Sequence, residues 1–148
     1  MNKLSLSVLI ASLVLAFCKQ PEKPATTKGT APQATIQCFE SRLPDGSVLK
    51  FQYSELNTEV GGVLEYDFAE KDDARGTFKG KKEGDIITAI WTHTVEGQTQ
   101  SQEIMVKIEG DKAMKANGEL ESGQDGVLRL KDKATASWSE TFERVTCE

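Results

Sequence analysis

The sequence predicts an all-β domain: a small antiparallel up-and-down barrel of eight or nine strands, with a β-sandwich as the alternative. Three observations carry that expectation. From Thr35 onward, apolar residues recur at a period of two, the spacing at which a strand places side chains on one face. Turn signals interrupt the pattern at short intervals. Two cysteines, Cys38 and Cys147, stand at either end of the patterned region.

Taken in order, the strands are expected at 35–42, 47–55, 59–69, 76–82, 85–95, 98–109, 112–120, 126–131 and 135–146. Phe51 and Tyr53 alternate with Gln52 and Ser54, and Leu64, Tyr66 and Phe68 with Glu65, Asp67 and Ala69. Gly61-Gly62 inside the third strand suggests a bulge or a bend at a barrel corner. The segment 85–95 is the richest in β-branched and aromatic residues, with Ile86, Ile87, Ile90 and Trp91 among threonines. Its aromatic face, Ile87, Ala89, Trp91, His93 and Val95, is expected inside, and Ile86, Thr88, Ile90 and Thr92 outside but partly covered. Ile104, Val106 and Ile108 continue the alternation. Lys112 to Glu121 carries the helix formers Ala113, Met114 and Ala116, but Gly118 and the alternation around it favour a strand.

Pro44-Asp45-Gly46, Lys71 to Gly76, Gly84-Asp85, Glu96-Gly97, Gly110-Asp111 and Gly123 to Gly126 mark the turns. Every connection reads as short. A sandwich normally needs longer crossovers between its sheets, whereas a closed meander needs none, so a lipocalin-like barrel is the preferred architecture. In a closed meander the first and last strands are neighbours. A Cys38–Cys147 bridge is therefore expected, closing a loop of about 110 residues and contributing up to about 5 kcal/mol in the chain-entropy view.

Ahead of the domain stands a segment of another kind. Lys3 is followed by an almost wholly apolar run from Leu4 to Phe17, then Cys18 and the polar Lys19-Gln20-Pro21. A basic start, a short apolar core and an abrupt polar exit describe an export signal over residues 1–17. The run is shorter than the roughly 20 apolar residues a membrane span requires. Leu15-Ala16-Phe17-Cys18 resembles the lipobox of bacterial lipoproteins, although Phe17 stands where that pattern carries a small residue. The resemblance implies that Cys18 is acylated, palmitate included, and becomes the mature N-terminus. Lys19 after it is similar to lipoproteins sorted to the outer membrane. Residues 18–34, with Pro21, Pro24, Pro32, Gly29 and several threonines, lack the large side chains a core needs and read as a lipidated cysteine and tether. The domain is then 35–148.

The motifs Val60-Gly61-Gly62-Val63-Leu64-Glu65-Tyr66, Gly76-Thr77-Phe78-Lys79-Gly80, Gly84-Asp85-Ile86-Ile87-Thr88-Ala89 and Trp91-Thr92 resemble, between an early and a late cysteine, a group of small envelope lipoproteins frequent in Bacteroidota. That resemblance covers about residues 36–148. It implies a lipid-anchored β domain and no activity.

The chain carries 18 basic and 23 acidic residues, a net charge of −5. The basic residues are scattered, so nucleic acid is not an expected partner. The expected partners are a membrane through the lipid anchor and either a small apolar ligand or an envelope protein. One histidine and two bridged cysteines do not supply a zinc site, and no cofactor or metal is expected. Asp67, Glu70, Asp72 and Asp73 read as solvated hairpin charges. The polar-tipped rings Tyr53, Tyr66, Trp91, His93 and Trp138 are the candidates to line a ligand cavity. Two functions follow. One is a non-enzymatic binding or structural module on the envelope membrane. The alternative is a ligand- or lipid-handling hydrolase using lumen carboxylates or His93.

Overall fold

The structure, a computed structural model, describes residues 34–147. The signal (1–17), Cys18 and all but the last residue of the tether lie outside the described residues.

Ten strands form: β1 Ile36–Arg42, β2 Val48–Leu56, β3 Glu59–Asp67, β4 Ala74–Glu83, β5 Ile86–Val95, β6 Gln98–Glu109, β7 Lys112–Asn117, β8 Leu120–Ser122, β9 Leu128–Leu130 and β10 Ser137–Val145. Eight of them close a barrel in the order β5-β4-β3-β2-β1-β10-β7-β6, with β6 returning to β5. All the barrel pairings are antiparallel. The up-and-down barrel expected from the sequence is the fold, and the sandwich is not.

Two-residue turns connect most neighbours. At Glu96-Gly97 both residues have positive φ, 51° and 72°, the turn type whose twist matches that of a hairpin. The termini meet as closure requires: Cys38 lies opposite Val145 across the β1–β10 seam, and Cys38 and Cys147 form a disulfide with Cα atoms 5.4 Å apart.

Three expectations need correction. The segment 126–131 is not a stave of the barrel, and 112–120 is not one strand. The chain leaves the barrel at Gly118, makes a β8–β9 hairpin and returns in β10, which pairs directly with β7. The physical cause is the short reach of β7: it pairs only with Val106–Glu109 of β6. The upper part of β6 is left for β9, which joins it through one parallel bridge, Gln102 to Leu128. Leu130 is buried at this junction. Gly61-Gly62 makes no bulge either, since register runs unbroken through both residues against β2 and β4. The one register shift among these seams lies between Ser137 and Glu140.

Alternation places one face of every stave in the lumen. Phe39, Phe51, Phe78, Phe142, Leu64, Ile87, Ile104 and Val106 are each at most 1 % exposed. The Phe51 ring stacks on Phe78 at 5.3 Å and meets Phe142 at 6.1 Å. Large and small residues interdigitate along β3 and β4, where Gly62 faces Phe78 and Gly76 faces Leu64. The lumen is filled by side chains, one of the two outcomes open to an eight-stranded barrel.

Candidate functional site

The two ends of the barrel differ in chemistry. The chain enters β1 at the end that also carries the disulfide and the β2–β3, β4–β5 and β6–β7 turns. The opposite end carries the β1–β2, β3–β4 and β5–β6 turns and the β8–β9 hairpin. Beyond the phenylalanine core polar side chains face inward at both ends, the Lys82–Glu55 pair beside Tyr53 at the disulfide end and an aromatic and charged cluster toward the second end.

Tyr66, Trp91 and His93 meet there. Trp91 and His93, two residues apart on one face of β5, stack at 3.6 Å. Tyr66 on β3 approaches Trp91 at 5.6 Å between centroids and stacks on Phe68 at 5.6 Å. Trp91 Nε1 donates to the Leu64 carbonyl at 3.1 Å, so the indole is anchored at both its apolar body and its polar tip. Gly76 lies opposite His93. A Cβ at Gly76 would fall 2.1 Å from the Thr92 carbonyl oxygen and 2.5 Å from the His93 Cα, so the bare backbone lets β4 approach β5 closely beside His93.

A charged pair completes the cluster. Lys115 of β7 and Glu140 of β10 face each other in register, and Lys115 Nζ lies 2.7 Å from Glu140 Oε2 with both side chains largely withdrawn from solvent. The same ammonium donates to Asn117 Oδ1 at 2.9 Å and sits 5.9 Å from the Tyr66 ring centroid. Burial, reinforced by the Glu140 carboxylate, pushes the Tyr66 hydroxyl far above its ordinary value, so it stays a neutral phenol. Burial lowers the His93 pKa against a smaller opposing effect of a backbone hydrogen bond, so the imidazole is neutral at physiological pH. Among the described residues its buried Nδ1 and the buried Glu140 Oε1 have no hydrogen-bond partner.

The other two candidate rings lie elsewhere. Tyr53 is buried toward the disulfide end, against Phe39 and Phe51 at 6.3 and 5.6 Å. Burial raises its pKa. Trp138 is half-buried on β10 beside the register shift. Three of the five rings therefore converge, and two do not.

Sequence reasoning missed Lys115, Glu140 and a second buried acid, Glu103. Glu103 lies on the outer face of β6, opposite Ile90, and is 7 % exposed. Lys133, from the connection after β9, reaches it at 2.6 Å. The signal for Glu140 was its parity with Phe142. For Lys115 it was parity with Ala113, a residue too small to announce a lumen face.

Chemically, the cluster holds groups still. His93 forms no ion pair or hydrogen bond with a carboxylate or serine among the described residues, and Glu140 is neutralised by Lys115. Among the described residues no group of three His, Cys, Asp or Glu side chains is placed to hold a metal ion. Asp73 and Asp67 lie on the surface, 3.1 and 3.9 Å from Arg75. No family model, curated protein or solved structure matches the chain.

Proposed function

We propose that this protein is a lipid-anchored lipoprotein of the bacterial cell envelope, held at the outer membrane through Cys18, and that its barrel is a non-enzymatic binding or structural module. The observation that carries the second half is the filled lumen. Phe39, Phe51, Phe78 and Phe142 occupy the space in which a barrel of this size would hold one small ligand. The hydrolase alternative lacks its geometry, because His93 is stacked on Trp91 without an acid partner among the described residues. Its partners are then met on the outer surface of the barrel rather than inside it.

Export is supported by the Cys38–Cys147 disulfide, since such bonds persist in oxidising compartments. Anchoring rests on the Leu15-Ala16-Phe17-Cys18 sequence. With about 0.8 kcal/mol per buried methylene, two or three acyl chains hold a small domain on a membrane almost permanently.

Palmitate labelling and membrane fractionation of wild type and Cys18→Ala test the anchor. The variant is expected to lose both label and membrane association, and retention of both overturns the reading. Native mass spectrometry of the purified protein tests the lumen: a co-purified small molecule, lost on Trp91→Ala, would overturn the filled-lumen argument.

A further inference from the structure

We propose that the disulfide end of the barrel rests on the lipid surface, with Ile36, Leu56 and Val145 in contact with the bilayer interface. This rests on the lipid anchor proposed above. Four large hydrophobic residues are well exposed among those described, and three of them are Ile36 at 53 %, Leu56 at 47 % and Val145 at 41 %. Register makes these three one patch. Ile36 faces Ser54 across the β1–β2 seam, and Leu56 follows two residues on, on the same outer face of β2. Val145 faces Cys38, two residues along β1 from Ile36. Steps of two residues within a strand are roughly 7 Å, so the side chains form a continuous outer rim over β10, β1 and β2.

The neighbouring stave extends the patch by omission. Gly61 pairs with Ser54 and faces outward. The nearest atom to a Cβ there would be the Phe78 carbonyl oxygen at 3.7 Å, so packing does not require glycine. Its bare backbone leaves a shallow groove of about 210 Å³ beside Ile36, Ser54 and Val63.

The chain itself indicates the occupant. Residues 19–35 join Cys18 to Ile36, so β1, which carries part of this rim, is the first strand after the proposed anchor. A short tether holds the local concentration of its two ends in the millimolar range, where a small apolar contact suffices. At this end Lys82 is paired with Glu55 at 2.8 Å, Arg144 with Asp111 at 2.9 Å and Lys112 with Glu143 at 3.3 Å, while Lys79 and Lys81 stand exposed on the outer face of β4 opposite Gly61 and Glu59. The three side chains of the rim are aliphatic, so the contact proposed is an apolar one with the bilayer interface.

Leu43, the fourth exposed hydrophobic at 39 %, lies in the β1–β2 turn at the opposite end and provides the control. Full-length lipidated Leu56→Trp and Leu43→Trp proteins, corrected for the wild-type tryptophans, are reconstituted into vesicles of phosphatidylcholine brominated on its acyl chains. Leu56→Trp is expected to lose most of its added emission and to shift to the blue, while Leu43→Trp keeps its emission. Adding Ile36→Asp and Val145→Asp to Leu56→Trp should restore the emission while the protein still floats with vesicles, and near-ultraviolet circular dichroism checks that the barrel is intact. A protein that floats but shows equal quenching at both positions overturns the docking and leaves the anchor standing. A protein that does not float overturns both. A concentration-dependent blue shift of Leu56→Trp in vesicle-free detergent would assign the rim to a second copy of the chain and overturn the lipid contact.

Discussion

Lys115 Nζ lies 2.7 Å from Glu140 Oε2 across the β7–β10 seam, and both side chains are turned into the barrel. An ion pair so placed gives up hydration at both ends, and its net contribution to stability is small. Removing one partner is another matter, because the survivor is stranded. Lys115→Met should therefore cost about 3–5 kcal/mol, and the double variant Lys115→Met/Glu140→Leu should recover most of that loss. Urea unfolding of the single and double variants checks it. Equal destabilisation by both would mean that the pair itself, rather than the stranded carboxylate, carries the energy.

The Cys38–Cys147 bridge spans 109 residues and fastens the first stave to the last. Opening it frees the unfolded chain far more than the folded one, whose β1–β10 seam remains hydrogen-bonded. Cys38→Ser/Cys147→Ser should lose up to about 5 kcal/mol, seen as a lowered Tm. Non-reducing peptide mapping of the exported protein should find the two cysteines in one linked peptide.

Trp91 is 4 % exposed and donates its indole N–H to Leu64. Trp91→Ala should cost about 3–5 kcal/mol, as a large-to-small change in a packed core does. Trp91→Phe keeps a ring but leaves the Leu64 carbonyl without its donor, an intermediate loss of about 1–3 kcal/mol. Thermal unfolding that finds the alanine variant within a degree or two of wild type would remove Trp91 from the core.

Burial holds the His93 pKa below its ordinary value of 6.5. Below pH 6.5 the unfolded chain takes up a proton that the folded one resists, so folding stability falls with pH. The stabilisation from keeping the imidazole neutral is present above about pH 6.5 and is lost as pH drops through the folded value. His93 is the one histidine in the chain, so His93→Gln should flatten Tm against pH in the mildly acidic range and leave the carboxylate-linked loss at lower pH. NMR titration of the imidazole should give a midpoint below that of a free histidine. A midpoint at or above it would reject the burial argument.

The staves were legible because the information for them is local. Period two marks each strand, and Glu96-Gly97 or Gly110-Asp111 marks each turn, so β1 to β6 fall close to their expected limits. The β8–β9 hairpin was not legible as an excursion. Gly123 to Gly126 forms the same kind of turn whether its strands join the barrel or leave it, and the decision rests on how far β7 reaches along β6. Within the candidate cluster, Trp91 and His93 could be placed on one inward face because they share a strand. Their meeting with Tyr66, and the pairing of Lys115 with Glu140, depends on register across several seams, which no single segment encodes. The bulge expected at Gly61-Gly62 is absent for a related reason: an in-strand glycine can mark a bulge or a close approach, and the distinction lies in what stands opposite.

That distinction makes adjacent residues behave in opposite ways. Gly62 faces the lumen, and a Cβ there would fall 2.0 Å from the Gln52 carbonyl oxygen and 2.6 Å from Phe78 Cζ. Gly61 faces outward with its nearest neighbour at 3.7 Å. Gly62→Ala must displace both a strand backbone and a stacked ring, so it should cost about 3 kcal/mol or more, beyond ordinary overpacking. Gly61→Ala should be neutral or stabilise by about 0.5 kcal/mol, because alanine surrenders less backbone freedom on folding than glycine does in a strand. Phe78→Leu added to Gly62→Ala should relieve only part of the damage, since trimming the ring leaves the clash with Gln52 in place. Chemical denaturation of the three variants checks the order. If Gly61→Ala and Gly62→Ala destabilise equally, the pair acts as a flexible joint in β3, and the close approach of Gly62 to Phe78 is not what fixes it as glycine.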